Sequence, residues 1–121
     1  MSIKVLAVDD SKTIRDLLNM ALNDAGFETH LAEDGVAALE LLEDISPNAV
    51  ITDINMPNMD GFELVKEIRS QDRFARLPIL VLTTESAPEL KAKARIAGAT
   101  GWVVKPFEPT KLVRAIQMVA G

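Results

Sequence analysis

Asp9, Asp10, Asp53, Thr83, Thr84 and Lys105 carry side chains able to do chemistry, and each stands just past a short apolar run. The runs are Ile3–Val8, Ala49–Ile51, Ile79–Leu82 and Thr100–Val104. Three carboxylates brought together repel, and each would have a raised pKa unless a cation sat among them. A hard divalent ion answers this, and Mg²⁺ takes a few carboxylates together with waters and phosphate oxygens. Lys105 adds a mobile point charge suited to a phosphoryl oxygen, and Thr83 adds a hydroxyl. Such parts suit phosphoryl transfer onto a carboxylate. Metal and ammonium neutralise the equatorial oxygens while one Asp attacks in line. The plainer account makes the acids solvated caps and Lys105 their surface counter-ion, and agreement among four strand ends weighs against it.

The elements that must position these groups alternate along the chain. Ile3–Val8 reads as a strand buried on both faces. Ser11 then caps a helix carrying Ile14, Leu17, Leu18, Ala21, Leu22 and Ala25, closed by Gly26. Phe27–Ala32 is a more polar, edge-like strand. Asp34 caps a helix with Val36, Leu39 and Leu42 inward, ending near Ser46-Pro47. The Asp53 strand leads into a loop punctuated by Pro57, Asn58, Asp60 and Gly61. Asp60 and Glu63 have capping-box spacing before a helix burying Phe62, Leu64 or Val65, and Ile68. After the Ile79–Leu82 strand, Ser86-Ala87-Pro88-Glu89 predicts a second capping box. Its helix has Leu90 as the only large apolar residue before Ile96, is basic through Lys91, Lys93 and Arg95, and ends at Gly98. Thr100–Val104 is the last strand, and Pro109 starts a helix with Leu112, Val113, Ile116 and Val119 inward. Five strands alternating with five helices imply an α/β fold, a doubly wound parallel sheet of the flavodoxin-like kind. The natural strand order is 2-1-3-4-5. In that order the polar strand ends meet in one crevice.

Composition fits one domain over residues 1–121. There is no cysteine, hence no disulfide framework, thiolate metal site or thiol nucleophile. A net charge of −5 argues against sequence-independent nucleic-acid binding. No apolar run is long enough to cross a bilayer. The start, Met1-Ser2-Ile3-Lys4, shows no signal core, so a cytoplasmic, monomeric protein ending at Gly121 without a further domain is expected.

The motifs Val8-Asp9-Asp10-Ser11, Thr52-Asp53-Ile54-Asn55-Met56-Pro57, Met59-Asp60-Gly61, Leu82-Thr83-Thr84 and Val104-Lys105-Pro106-Phe107 span essentially the whole chain. With them the chain resembles the receiver domains of two-component response regulators, and among these the stand-alone chemotaxis regulators of the CheY type. The resemblance implies that Asp53 is the phosphoacceptor. It implies that Asp10 and Asp53 ligate Mg²⁺ with the backbone carbonyl of Asn55, Asp9 acting largely through water. Thr83 and Lys105 would bind the phosphoryl group, with Lys105-Pro106 a cis peptide. Trp102 stands where the family has an aromatic switch residue, usually Tyr or Phe. It would turn inward as Thr83 moves toward phosphate, remodelling a partner face that includes Lys91, Lys93, Arg95, Trp102 and Lys111. Lacking a hydroxyl, Trp102 cannot simply inherit the hydrogen bonds of a Tyr. Asn55, Thr84 and Glu85 flank the site and would tune the kinetics. Thr84, where Ala or Gly is frequent, would slow them, and the Asn55–Glu85 pair would speed them.

The implied function is a phosphorylation-dependent switch fed by a sensor histidine kinase of the chemotaxis type. Its output would be protein binding, to a flagellar motor switch protein or another output protein. A phosphatase is a further candidate partner, and neither nucleic acid nor membrane is expected. A phosphorelay intermediate or a phosphate sink is the alternative. As a catalyst the chain would act only on its own phosphorylation and dephosphorylation. A phosphatase working through an aspartyl phosphate would want a second acid where Asn55 stands. A flavodoxin-like cofactor binder would want a Ser/Thr/Gly-rich phosphate loop where Asp9-Asp10 stand, and no P-loop occurs. His30 reads as a surface residue without a partner, and a base is the competing reading. Met56 and Met59 read as packing the loop on the core.

Overall fold

The computed structural model describes residues 3–120. Met1, Ser2 and Gly121 lie outside the described residues, and the expectations about the two ends of the chain fall there. The elements run β1 (Lys4–Val8), α1 (Lys12–Asp24), β2 (Glu28–Ala32), α2 (Gly35–Ile45), β3 (Ala49–Thr52), α3 (Gly61–Arg69), β4 (Ile79–Thr83), α4 (Pro88–Ala97), β5 (Gly101–Val104) and α5 (Pro109–Ala120). A short 3₁₀ turn at Asp72–Phe74, which the sequence pattern did not announce, follows α3. All neighbouring strands are parallel, in the expected order β2-β1-β3-β4-β5.

Every residue of β3 and β4 is buried, as strands covered on both faces must be. On one face Leu18 and Leu22 of α1 and Leu112 and Ile116 of α5 pack against Val5, Ala7, Ile51 and Leu80. On the other, Leu42 of α2 and Leu64, Val65 and Ile68 of α3 pack against Leu6, Val8, Val50 and Ile79. Met56 and Met59 sit on that second cluster, as expected of loop-packing methionines. A smaller cluster of Ile54, Phe62, Val81 and Ala94 lies beneath α4, with Leu90, Ala99 and Trp102 against it.

Caps explain where several helices start. Ser11 Oγ accepts from Ile14 N at 3.3 Å, Asp34 Oδ1 from Ala37 N at 2.8 Å, and Asp60 Oδ1 from Glu63 N at 2.8 Å. Gly26 (φ 86°) and Ser46 (φ 46°) end α1 and α2 in the left-handed region.

Some expectations need correction. Ser86 does not cap α4: the cap residue is Ala87, which makes no side-chain hydrogen bond. Pro88 takes the first helical position, where its missing N–H costs nothing, and this pushes Ser86 outside the helix. Val36 is not inward but 43% exposed. The buried stripe of α2 is Gly35, Ala38, Leu42 and Ile45, one residue out of phase with Val36. In α1, Leu17 and Ala25 face solvent, leaving Leu18 and Leu22 as its buried residues. In α4 only Ala94 and Ala97 are buried, and Ile96 is 86% exposed, so the fully buried side chains of this helix are small ones.

Thr29 in β2 has a buried hydroxyl with no hydrogen-bond partner among the described residues. An orphaned polar group costs about 1–3 kcal/mol. Thr29→Val, which keeps the shape and removes the hydroxyl, should raise the melting temperature by about 4 °C, corresponding to about 1 kcal/mol. Calorimetric melting of both proteins checks this, and an unchanged or lower midpoint would mean that the hydroxyl is satisfied in solution.

Candidate functional site

Strand register builds the site. Val8 pairs with Thr52, so Asp9 and Asp53 leave neighbouring strands at the same level. Thr52 pairs with Val81, and Thr83 with Val104, so Thr83 and then Lys105 rise on the far side of the crevice. One carboxylate oxygen each from Asp9, Asp10 and Asp53 lie within 4.8 Å of one another. Asp9 and Asp53 are buried, and Asp10 faces solvent. Lys105 Nζ donates to Asp9 Oδ2 at 2.7 Å and to Asp53 Oδ2 at 3.2 Å.

Each member is held from behind. Asp9 Oδ1 accepts from Ser11 N at 2.9 Å, and Arg15 Nη1 donates to the Asp9 carbonyl at 2.7 Å. Arg15 was not singled out from the sequence, because nothing in its spacing connects it to a strand end. Asp53 Oδ1 accepts from Ile54 N at 2.7 Å. Gly61 lies so close behind the site that a Cβ would overlap the Asp53 carbonyl and fall 2.8 Å from Ile54 Cα. Only glycine lets the start of α3 approach the backbone of the reactive strand end this way. The Lys105-Pro106 bond is cis, as the resemblance implied.

The acid set fits a hard divalent cation: oxygen donors only, close together, with one acid open to solvent for entry. The described residues contain no cysteine, and His30, the chain's one histidine, lies at the sheet edge. His30 is not without a partner, since its Nε2 lies 2.8 Å from Glu28 Oε2 on the same face of β2. That hydrogen bond holds the Glu28 carboxyl below its ordinary value.

Thr83 is fully buried, and its Oγ1 accepts from Glu85 N at 3.3 Å. Glu85 O in turn accepts from Trp102 Nε1 at 3.0 Å. The indole N–H is therefore hydrogen-bonded to the β4–α4 loop in this structure. Thr84 and Asn55 are exposed at the rim, and Glu85 is half-buried. Lys91, Arg95 and Trp102 line one cleft of about 240 Å³ between α4 and β5. Lys93 lies outside it, its ammonium 4.2 Å from the Phe62 ring centre. Lys111 stands on the first turn of α5, 3.6 Å from Glu108. A second cleft, of about 280 Å³ and mostly apolar, borders Lys105 and has the exposed Leu17 and Met20 on its wall.

An acid triad, a lysine and a hydroxyl at the carboxyl ends of a 2-1-3-4-5 parallel sheet are the parts of a receiver. The chain belongs to the response regulator receiver domain family, whose sequence pattern matches residues 5–117. It is 42% identical over 120 residues to chemotaxis protein CheY1 of Helicobacter pylori, covering 98% of this chain and 97% of that one. Chemotaxis protein CheY4 of Vibrio cholerae has a solved structure that matches with a TM-score of 0.94 at 47% identity, covering 98% of this chain and 99% of that one. The receiver domain of a sensor histidine kinase from Pseudomonas aeruginosa, solved with magnesium coordinated in its active-site cleft, matches with a TM-score of 0.92 at 27% identity, covering 100% of this chain and 99% of that one.

Lys105 carries a testable electrostatic consequence. Burial works against its ammonium, but the hydrogen bond it donates to Asp9 and the charge of Asp53 outweigh burial and raise its pKa above the ordinary 10.5. A raised pKa means stability fully present below the unfolded value and lost as pH climbs through the folded one. Lys105→Met should therefore be less stable than wild type at neutral pH, with the gap closing only above the ordinary 10.5. Urea unfolding across neutral and alkaline pH checks this, and a gap independent of pH would contradict it.

Proposed function

We propose that the chain is a phosphorylation-driven switch that accepts a phosphoryl group on Asp53 from a phosphohistidine and signals by binding another protein. The observation that carries this reading is the single crevice where Lys105 bridges Asp9 and Asp53 beside Asp10. Asp10, Asp53 and the Asn55 carbonyl would hold Mg²⁺, with Asp9 acting largely through water. The ion, when bound, supplies positive charge to the phosphoryl oxygens as negative charge shifts in the transition state. The Asp53 carboxylate attacks phosphorus, and a P–O bond forms as the P–N bond breaks, its electron pair staying on the imidazole nitrogen. Lys105 and Thr83 take the phosphoryl oxygens, Lys105 leaving its carboxylate partners to do so. Water reverses the change by attacking the same phosphorus, so the chain acts catalytically only on its own phosphorylation and hydrolysis.

Output follows from the β4–α4 loop. Thr83 Oγ1 accepts from Glu85 N and keeps its O–H to donate to a phosphoryl oxygen. A hydroxyl drawn toward phosphate pulls on that bond, and Glu85 O holds Trp102. Phosphorylation therefore shifts the population between two arrangements of loop and indole, reshaping the cleft lined by Lys91 and Arg95. Lys93 and Lys111 extend the charge of that surface. Two chemotaxis proteins of similar sequence and length make the chemotaxis kinase the leading donor and a flagellar motor switch protein the leading target. A phosphorelay intermediate or a sink is the second reading; slow loss of phosphate beside the exposed Thr84 would favour the relay, which must keep its phosphoryl group long enough to pass it on, over the sink.

Incubation with acetyl phosphate and Mg²⁺ should yield a slower band on a phosphate-affinity gel, lost without Mg²⁺ and in Asp53→Asn. A band that survives in Asp53→Asn would place the acceptor elsewhere. No band even with a purified histidine kinase as donor would overturn the switch. Thr84→Ala should lose its phosphoryl group severalfold faster than wild type in a gel time course. An unchanged rate would remove Thr84 from the kinetics.

A further inference from the structure

The loop from Ile54 to Asp60 presents the Asn55 carbonyl, and a backbone ligand is only as well placed as the loop that carries it. Between Asn55 and Met59, one side-chain hydrogen bond among the described residues ties this loop to another element. Asn58 Nδ2 donates to Asp34 Oδ2 at 2.9 Å, across 24 positions of sequence. Asn58 holds φ 67°, a left-handed conformation that Asn adopts more readily than most residues. Asp34 is buried, and its other oxygen caps α2. The bonds from Ala37 N and then Asn58 hold its carboxyl below the ordinary value, so it stays an acceptor on both oxygens. Beside this bond Met59 packs onto Gly35, where a Cβ would come within 2.7 Å of Met59 Cγ. The turn of the loop is thereby pinned to the start of α2, an element that holds none of the site's reactive groups.

We propose that Asn58 and Asp34 form a latch that positions the Asn55 carbonyl for the divalent cation. Both are positioning residues and neither is a ligand. The inference rests on the metal reading above. With the latch closed, the loop is ordered before the ion arrives; with it open, ion binding has to order the loop and affinity falls. Partners standing behind metal ligands typically carry about 10- to 100-fold in affinity, and a latch acting through backbone belongs near the low end.

The test is Mg²⁺ titration by calorimetry on the full chain, with thermal unfolding in parallel. Asp34→Ser keeps an oxygen for capping α2 but is too short to reach Asn58, and it leaves the loop's own sequence untouched. Asn58→Gly keeps the left-handed backbone and removes the amide. Each variant should bind Mg²⁺ about tenfold more weakly. The double variant should be no weaker than either single one, the signature of one shared interaction. Phosphorylation by acetyl phosphate should return to near the wild-type rate at saturating Mg²⁺. Unchanged affinity with a lower melting temperature would reduce the pair to a structural cap and overturn the latch, as would losses that simply add. If Asp34→Ser does not fold, Asn58→Gly alone decides. Wild-type protein that takes up no Mg²⁺ would overturn the metal reading and the latch together, whereas wild-type binding with unaffected variants overturns the latch alone.

Discussion

Carboxylates from two neighbouring strands and the residue beside one of them crowd to within 4.8 Å at the mouth of the sheet, and the fold has to hold that repulsion in place. Lys105 does so from the far side of the crevice, reaching Asp9 and Asp53 at once from the end of β5. Its position depends on β4 lying between, and on Lys105 N donating to Thr83 O at 2.8 Å. Repulsion not offset by one lysine is what a divalent cation can use, because a site with excess negative charge binds such an ion without having to create it. The sheet, its register and the glycine behind Asp53 all serve to hold this arrangement.

The same loop that completes the site also leaves it. The path from Thr83 Oγ1 through the Glu85 backbone to the Trp102 indole runs through two hydrogen bonds, the route by which the proposed switch would carry a change at the hydroxyl to the aromatic ring. The ring packs against the small cluster of Ile54, Phe62, Val81 and Ala94 beneath α4. That helix buries two alanines and leaves Ile96 in solvent, so little apolar contact resists its displacement. Arg69 secures only its far end, donating from Nε to Gly98 O at 2.9 Å. A helix held at one end and lightly along its length suits the two-form surface that the proposed switch requires.

Much of this was legible in the chain itself, for identifiable reasons. Buried parallel strands are unbroken apolar runs, and a polar residue at the end of one has few places to go, so Asp9, Asp53, Thr83 and Lys105 could be placed before any coordinates. Asp34 and Asp60 were legible as caps because capping is local, acting over three residues. Ser86 failed because two local rules competed and the proline rule won. Val36 failed because a stripe of small residues, Gly35 and Ala38, carries a weaker hydrophobic signal than a valine beside it. Arg15 on the Asp9 carbonyl, Asn58 on Asp34 and the indole on Glu85 O were beyond reach, since each joins segments whose proximity exists only in the folded sheet.

The chain has one tryptophan and no tyrosine, so a single indole N–H reports on the switch. The most direct test is the ¹H–¹⁵N resonance of Trp102 Nε1 before and after acetyl phosphate and Mg²⁺, in wild type and in Asp53→Asn. A shift in wild type that is absent in Asp53→Asn is the predicted result. An indole resonance that stays fixed while Asp53 is fully phosphorylated would contradict the coupling between site and surface.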